Sequence, residues 1–375
     1  MAQIGWTVIE TKFDYSQLHH KETLFTLGNG YLGTRGTFEE GYPNDLPATL
    51  IHGVYDDVPI MHTELVNCPD WLSLVIVVGG DRFSLDQGQV LSYQRQLDLR
   101  WGLLSRDVLW RSPSGHTVYL HFERMSSMAD KHVLVLRCQV TPVDFEGEIK
   151  VEASLNGYPD NQGVRHWEWL NQGADTNHAW LHLHCSKSGV ELGLSTQLMC
   201  SDKDAVVQAT AKESGNPTLT TSFQTQLGKT VTLEKVVTVF TSRDVSEPAQ
   251  AAQERLVSLP KYPTMLAAHG AVWDELWRDC DVVIEGDPTA QLAIRYNLFQ
   301  LLAVAPRHDD RVSIPAKTLS GFAYRGHVCW DTEIFIAPFL TFTQPEIARN
   351  VLSYRYHTLY QVGLNGHSIM EGASL

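Results

Sequence analysis

Ten consecutive residues hold Tyr324, Arg325, His327, Trp330, Asp331 and Glu333, inside the stretch L-S-G-F-A-Y-R-G-H-V-C-W-D-T-E-I-F from Leu319 to Phe335. Aromatic faces beside carboxylates suit a sugar. The C–H face of the ring stacks on the aromatic and the hydroxyls donate to the acids. Asp331 is the candidate acceptor of sugar hydroxyls and Trp330 the candidate stacking surface. Glu333 reads as a brace, with Arg325 and His327 fixing the acids. A buried ion-pair network inside a helical bundle would use the same residue types.

A second cluster, L-G-N-G-Y-L-G-T-R, puts Gly28, Gly30 and Gly33 at the spacing of a nucleotide loop. Such a loop needs a helix opening at the glycines inside a βαβ unit, and the residues that follow are turn-rich. A tight, closely packed β-turn is the expectation. His166, Trp167, Glu168 and Trp169 are compatible with a carbohydrate-binding face, but alternate strand residues packing on opposite faces explain them as well. His19, His20 and His52 have no partner spacing that identifies a metal, and no metal site is expected.

The segments that must position these residues change character along the chain. Strand-like runs fill residues 5–243: Trp71 to Val78, Val133 to Val140, the alternating Ala179 to Cys185, and Lys229 to Thr241. Gly79-Gly80-Asp81, Pro113-Ser114-Gly115, Asn156-Gly157 and Ser214-Gly215-Asn216-Pro217 separate them. Many strands at regular spacing predict an antiparallel β-sandwich. Helix formers take over from Glu247, with a second helical run over Pro263 to Asp279. Asp287-Pro288 opens a third helix to about Val304, and Gln344-Pro345-Glu346 a fourth to about His357. The chain is therefore multidomain, β then α: a sandwich over 1–260, a helical linker over 261–286, and a helical domain over 287–375. So few helices cannot cover one another's apolar faces. The second domain is expected to be interrupted, and the helices after 286 poorly protected.

The net charge of −14 and the lack of a basic stripe exclude a nucleic-acid partner. No apolar run is long enough to span a bilayer and no leader is visible at Met1 to Glu10, so no membrane contact is expected. Six scattered cysteines without a C-x-x-C pair read as reduced thiols of a cytoplasmic protein.

Several of these motifs resemble glycoside hydrolase family 65, the inverting disaccharide phosphorylases that act on maltose, trehalose and kojibiose. L-G-N-G-Y-L-G-T-R-G-T-F-E-E resembles the family's opening motif. E-L-V-N-C-P-D-W, L-D-L-R-W-G-L-L-S-R-D-V-L-W and the R-x-x-S of Arg124 to Ser127 resemble its sandwich strands. Y-R-G-H-V-C-W-D-T-E-I-F and A-R-N-V-L-S-Y-R-Y-H-T-L resemble the start of its catalytic barrel. The resemblance implies a β-sandwich, a helical linker and a truncated (α/α)6 barrel, with Trp330 and Asp331 lining the pocket for the glucosyl unit. It implies no cofactor, an α-linked glucosyl disaccharide and inorganic phosphate as substrates, and a homodimer in the full-length enzyme. The family's general acid and phosphate-binding groups lie further downstream, so no catalytic residue is assigned here. The chain alone is expected to be inactive. An inverting α-glucoside hydrolase and a non-catalytic sugar-binding fragment are the alternatives.

Overall fold

The computed structural model describes residues 5–58 and 62–372. Among these residues the strands form three sheets, and every strand pair is antiparallel. The nine-stranded sheet runs in the order Thr7–Glu10, Gln89–Asp98, Leu103–Arg111, Thr117–Ser126, Val133–Pro142, Val231–Thr241, Glu191–Cys200, His178–Cys185, Trp167–Asp175. A five-stranded sheet centred on Gly147–Ser154 faces it. The residues of one face of each, such as Val118, Leu120 and Phe122 against Ile149 and Val151, are buried in one apolar cluster. Alternation of this kind marked Ala179 to Cys185 in the sequence, while the other strands stood out as short apolar or β-rich runs between turns.

Arginines and glutamates also lie inside this fold. Arg106 donates to Glu39 and Glu40, at 2.7 Å to each. Arg124 pairs with Glu39 at 2.7 Å. Burial opposes the Glu39 carboxylate, but Arg124 and Arg106 hold its pKa below the usual carboxylate value. Removing either arginine would take a partner from a buried carboxylate, Glu39 in both cases and Glu40 as well for Arg106.

The third sheet is small: Leu27–Gly28, Leu32–Thr34, Thr49–Val58 and His62–Asn67. It is the platform on which the helical half rests. The helices are α1 (Leu18–Leu24), α2 (Pro248–Val257), which packs on the large sheet, α3 (Tyr262–Cys280), α4 (Pro288–Val304), whose end meets the small sheet, α5 (Ala337–Thr343) and α6 (Pro345–Gly372). Asp287 caps α4 by accepting from the amides of Thr289 and Ala290, each at 3.0 Å, with Pro288 at the first helical position. Trp273 and Trp277 of α3 and Phe299 and Leu302 of α4 share one buried cluster with Leu97 and Leu104 of the large sheet and Leu99 in the turn between their strands. The helical segment after 286 is therefore not uniformly bare. α4 is docked, and the exposed apolar side chains gather further on, at Trp330, Ile334, Phe335, Phe342, Leu352, Tyr356 and Leu359. Other differences remain: α1 and α5 have no counterpart in the sequence reading, and α6 continues well past His357.

Where α4 ends, the glycine motif explains itself. A Cβ on Gly28 would lie 2.7 Å from the Ala303 carbonyl oxygen, and one on Gly30 would lie 2.5 Å from that of Ala305. Gly30 also has φ 79° and donates its amide to Ala303 at 2.7 Å. Asn29 closes the turn by accepting from the amides of Tyr31 and Leu32. The motif is a tight turn pressed onto a helix end, with no helix opening at its glycines.

Two buried histidines tie the halves together. His52 Nε2 donates to the Val304 carbonyl at 2.7 Å. His269 Nδ1 accepts from the Met128 amide at 3.0 Å while its Nε2 donates to the Trp101 carbonyl at 2.7 Å. Burial pushes both imidazoles down from the ordinary 6.5 to about 4. The unfolded chain therefore takes up these protons at a higher pH than the fold does. Their contribution is complete above 6.5 and is lost as pH falls toward 4, up to about 3 kcal/mol per ring. The melting temperature is expected to fall over that interval. His52→Gln, which keeps a donor near the Nε2 position without titrating, is expected to flatten the fall. Parallel profiles for parent and variant would contradict the assignment.

Candidate functional site

The chain leaves α4 at Val304, crosses the platform sheet, and reaches the acid- and aromatic-rich segment through Ile314 and Leu319, both buried. Gly33 lies under this path. A Cβ there would sit 2.5 Å from Leu319 Cβ and 2.6 Å from its carbonyl oxygen. Gly326 makes the reciprocal approach, since a Cβ on it would lie 2.3 Å from Leu65 Cβ on strand His62–Asn67. Sheet and loop are pressed together at both points, with no room for a side chain on either glycine.

Between them the loop turns through a short 3-10 segment, Ala323–Gly326, in which Tyr324 and Arg325 have left-handed backbone, φ 56° and 55°. Two such residues in succession cost on the order of 1–3 kcal/mol each and persist only where neighbours fix them. The neighbours are on the platform sheet. Tyr55 Oη donates to the Gly326 carbonyl at 2.6 Å, Arg325 Nη1 to Glu64 Oε2 at 3.0 Å, and His327 Nε2 to the Thr63 carbonyl at 2.7 Å.

Past this turn the segment enters a π-helical turn, Thr332–Ile336, continuous with α5. Thr332 is buried and donates to the Ile314 carbonyl at 2.9 Å. Glu333 takes a two-pronged ion pair from Arg355 on α6, at 2.7 and 2.8 Å. Arg355 also donates to the Cys329 carbonyl at 3.0 Å, and its guanidinium lies 5.1 Å from the centre of the Trp330 ring. The Glu333 carboxylate raises the Arg355 pKa further above its ordinary value. Trp330 is 70% exposed, and the neighbouring Asp331 is exposed too. Among the described residues, none donates to the Asp331 carboxylate. The geometry leaves an aromatic face and an available carboxylate side by side, while Glu333 is occupied.

The predicted cluster thus divides in two. Trp330, Asp331 and Glu333 lie at the start of the π-helical turn that leads into α5. Arg325 and His327 do not fix those acids: they reach back to the platform sheet, and Tyr324 stays exposed with Lys317 Nζ 5.8 Å from its ring centre. Arg355, Glu64 and Tyr55 were not picked out from the sequence. Glu333 and Arg355 are 22 positions apart and Arg325 and Glu64 261 apart, so no local spacing signals either pair. Trp167 packs against the sandwich core and donates to the Asn67 carbonyl at 2.6 Å, whereas Trp169 is exposed. His166 is buried between Asp56 and Glu64, with Nδ1 and Nε2 at 3.0 and 2.8 Å from their oxygens. Among the described residues no group of three His, Cys, Asp or Glu side chains is placed to hold a metal ion.

Arg355→Gln is expected to leave the mostly buried Glu333 carboxylate short of its partner and to cost about 1–3 kcal/mol. The double variant Glu333→Gln/Arg355→Gln pairs two neutral amides and should recover part of that. Thermal unfolding of the parent and three variants checks the order. A double variant no better than Arg355→Gln would show that the pair is not coupled.

Residues 8–276 match the N-terminal domain of glycosyl hydrolase family 65, and residues 295–373 match that family's central catalytic domain. A kojibiose phosphorylase of Halothermothrix orenii is 34% identical over 95% of this chain and 47% of its own length. An alpha,alpha-trehalose phosphorylase of Thermoanaerobacter brockii is 30% identical over 94% of the chain and 50% of its own length. A solved structure described as a putative kojibiose phosphorylase from human microbiome superposes with a TM-score of 0.87 at 23% identity, over 95% of this chain and 49% of that one. The chain spans about half the length of the relatives it matches.

Proposed function

The chain belongs to glycoside hydrolase family 65, and from that premise we propose that it forms the N-terminal half of an inverting α-glucoside phosphorylase. The observation that carries the reading is the pair of named disaccharide phosphorylases, each aligned along nearly all of this chain. Trp330 and Asp331 are its glucosyl-binding residues, since both are exposed side by side in the segment matched by the catalytic domain. The helices from α4 onward begin the (α/α)6 barrel, divided from the 1–260 sandwich by a linker over 261–286.

The reaction is disaccharide plus inorganic phosphate giving β-glucose 1-phosphate and a free sugar. A phosphate oxygen attacks the anomeric carbon on the face opposite the glycosidic oxygen. The bond to that oxygen breaks, and a carboxylic acid protonates it as it leaves. Phosphate is already an anion, so no base is needed to activate it, and one acid suffices. Asp331 would hold the glucosyl hydroxyls, with Trp330 shaping the wall and Glu333, fixed by Arg355, keeping the turn in register. No residue of this chain is assigned the acid, which belongs to the part of the relatives' length that the chain does not span. The reading also has the full-length enzyme working as a homodimer, and places it in the reducing cytoplasm, with which six free thiols are compatible. An inverting hydrolase would need a second carboxylate placed to hold water.

Two outcomes test the reading. The 375 residues alone are expected to release no β-glucose 1-phosphate from kojibiose, trehalose, maltose or nigerose with phosphate. Turnover above a blank would contradict this. In a protein extended to the length of its relatives, phosphorolysis of one of these sugars is expected. There Asp331→Ala should cost about 3–5 kcal/mol of transition-state binding, roughly a hundred- to several-thousand-fold in kcat/KM. Glu333→Gln and Trp167→Ala should cost less. Near-normal kcat/KM for Asp331→Ala, or loss matched by a fall in melting temperature, would remove Asp331 from the site.

A further inference from the structure

We infer that Glu64, on the platform sheet, is a positioning residue for the candidate sugar site and acts on it through Arg325. The inference rests on the sugar-site reading of Trp330 and Asp331.

Glu64 lies in strand His62–Asn67, in the part of the chain matched by the N-terminal domain, yet it is buried and aimed at the catalytic-domain loop. One carboxylate oxygen takes Nη1 of Arg325 at 3.0 Å and the other lies 2.8 Å from Nε2 of His166. The second ring nitrogen of His166 lies 3.0 Å from Asp56, which is itself fixed by the backbone amides of Lys187 and Ser188 at 3.1 and 2.6 Å. Burial works against the Asp56 carboxylate, but the Ser188 amide and His166 hold its pKa below the ordinary value. A chain of charged hydrogen bonds thus runs from the loop at 187–188 through the interior to Arg325. It ends on one of the two left-handed residues of the turn.

That turn holds itself only by two short-range backbone bonds, Arg325 to Phe322 and His327 to Tyr324, each at 2.9 Å. Its hold on the platform sheet comes from the Arg325 pair and from the bonds from Tyr55 to Gly326 and from His327 to Thr63. Three residues after His327 come Trp330 and Asp331, whose far side is held by Arg355 at Cys329 and Glu333. Trp330 and Asp331 are suspended between a clamp on the platform sheet and a clamp on α6. Loosening the first lets Tyr324 and Arg325 leave the left-handed region and displaces the start of the π-helical turn.

The 375-residue chain labelled with 5-fluorotryptophan reads this directly by fluorine NMR, with the Trp330 signal assigned by Trp330→Phe. Glu64→Gln keeps size and a hydrogen-bonding group toward His166 but removes the charge that Arg325 meets. It is expected to shift or split the Trp330 signal while the signals of buried Trp71, Trp110 and Trp273 stay in place. Arg325→Gln should do the same, Arg325→Lys less, and the double variant Glu64→Gln/Arg325→Gln no more than either single change. Amide exchange over residues 321–327 should quicken about tenfold in Glu64→Gln. A Trp330 signal unmoved in both single variants overturns the inference. So does a shift of all tryptophan signals together with a fall in melting temperature, which marks a merely structural role. Adding methyl α-glucoside to the parent separates the two claims. A Trp330 signal that answers Glu64→Gln but not the sugar overturns the sugar reading and upholds the mechanical link.

Discussion

The two halves of this chain meet where glycines let them pack directly against one another. Gly28 and Gly30 lie against the carbonyls that end α4, Gly33 lies against Leu319, and Gly326 lies against Leu65. A side chain at any of the four would need neighbours to move by several tenths of an ångström or more. The approach matters because it sets the height of the site segment above the platform sheet. Every longer-range contact, from Tyr55 to the Arg325 pair, is made across that gap.

Around this seam the structure divides the labour. The large sandwich supplies rigidity through its apolar core and its buried arginine–glutamate pairs. The small sheet converts that rigidity into position, by holding a strained turn from one side. α6 supplies the opposing hold through Arg355. What remains unclaimed by internal bonds is an indole and a carboxylate, side by side on an exposed surface. A ligand with hydroxyls and a C–H face would complete that arrangement.

The sequence was most legible where a residue's environment repeats along the chain. Val231–Thr241 is rich in β-branched residues, so its composition alone marked it as a strand, and its middle, Lys235 to Val239, is buried on both faces. Asp287-Pro288 carries its own helix-start chemistry, and α4 begins and ends where that chemistry predicts. The glycine motif was readable as a tight packed turn but not as a domain seam, because its partners Ala303, Ala305 and Leu319 lie far along the chain. The site was half legible. Trp330, Asp331 and Glu333 are consecutive or nearly so and share one turn. Glu64, His166 and Arg355 reach the same region only through the fold. Arg325 and His327 looked like partners of the nearby acids because they are close in sequence, whereas the left-handed turn points them to the opposite side. The helix Leu18–Leu24 is a single short element without a long apolar period, which left it without a signal.

If the glycine seam sets the position of the site, a single methyl group there should be felt at the site before it is felt in the sandwich. Hydrogen exchange of Gly33→Ala against the parent measures this. The account predicts faster exchange over residues 303–336, with strands Val133–Pro142 and Val231–Thr241 protected as before. Unchanged exchange over 303–336, or an equal loss across the sandwich strands, would contradict it.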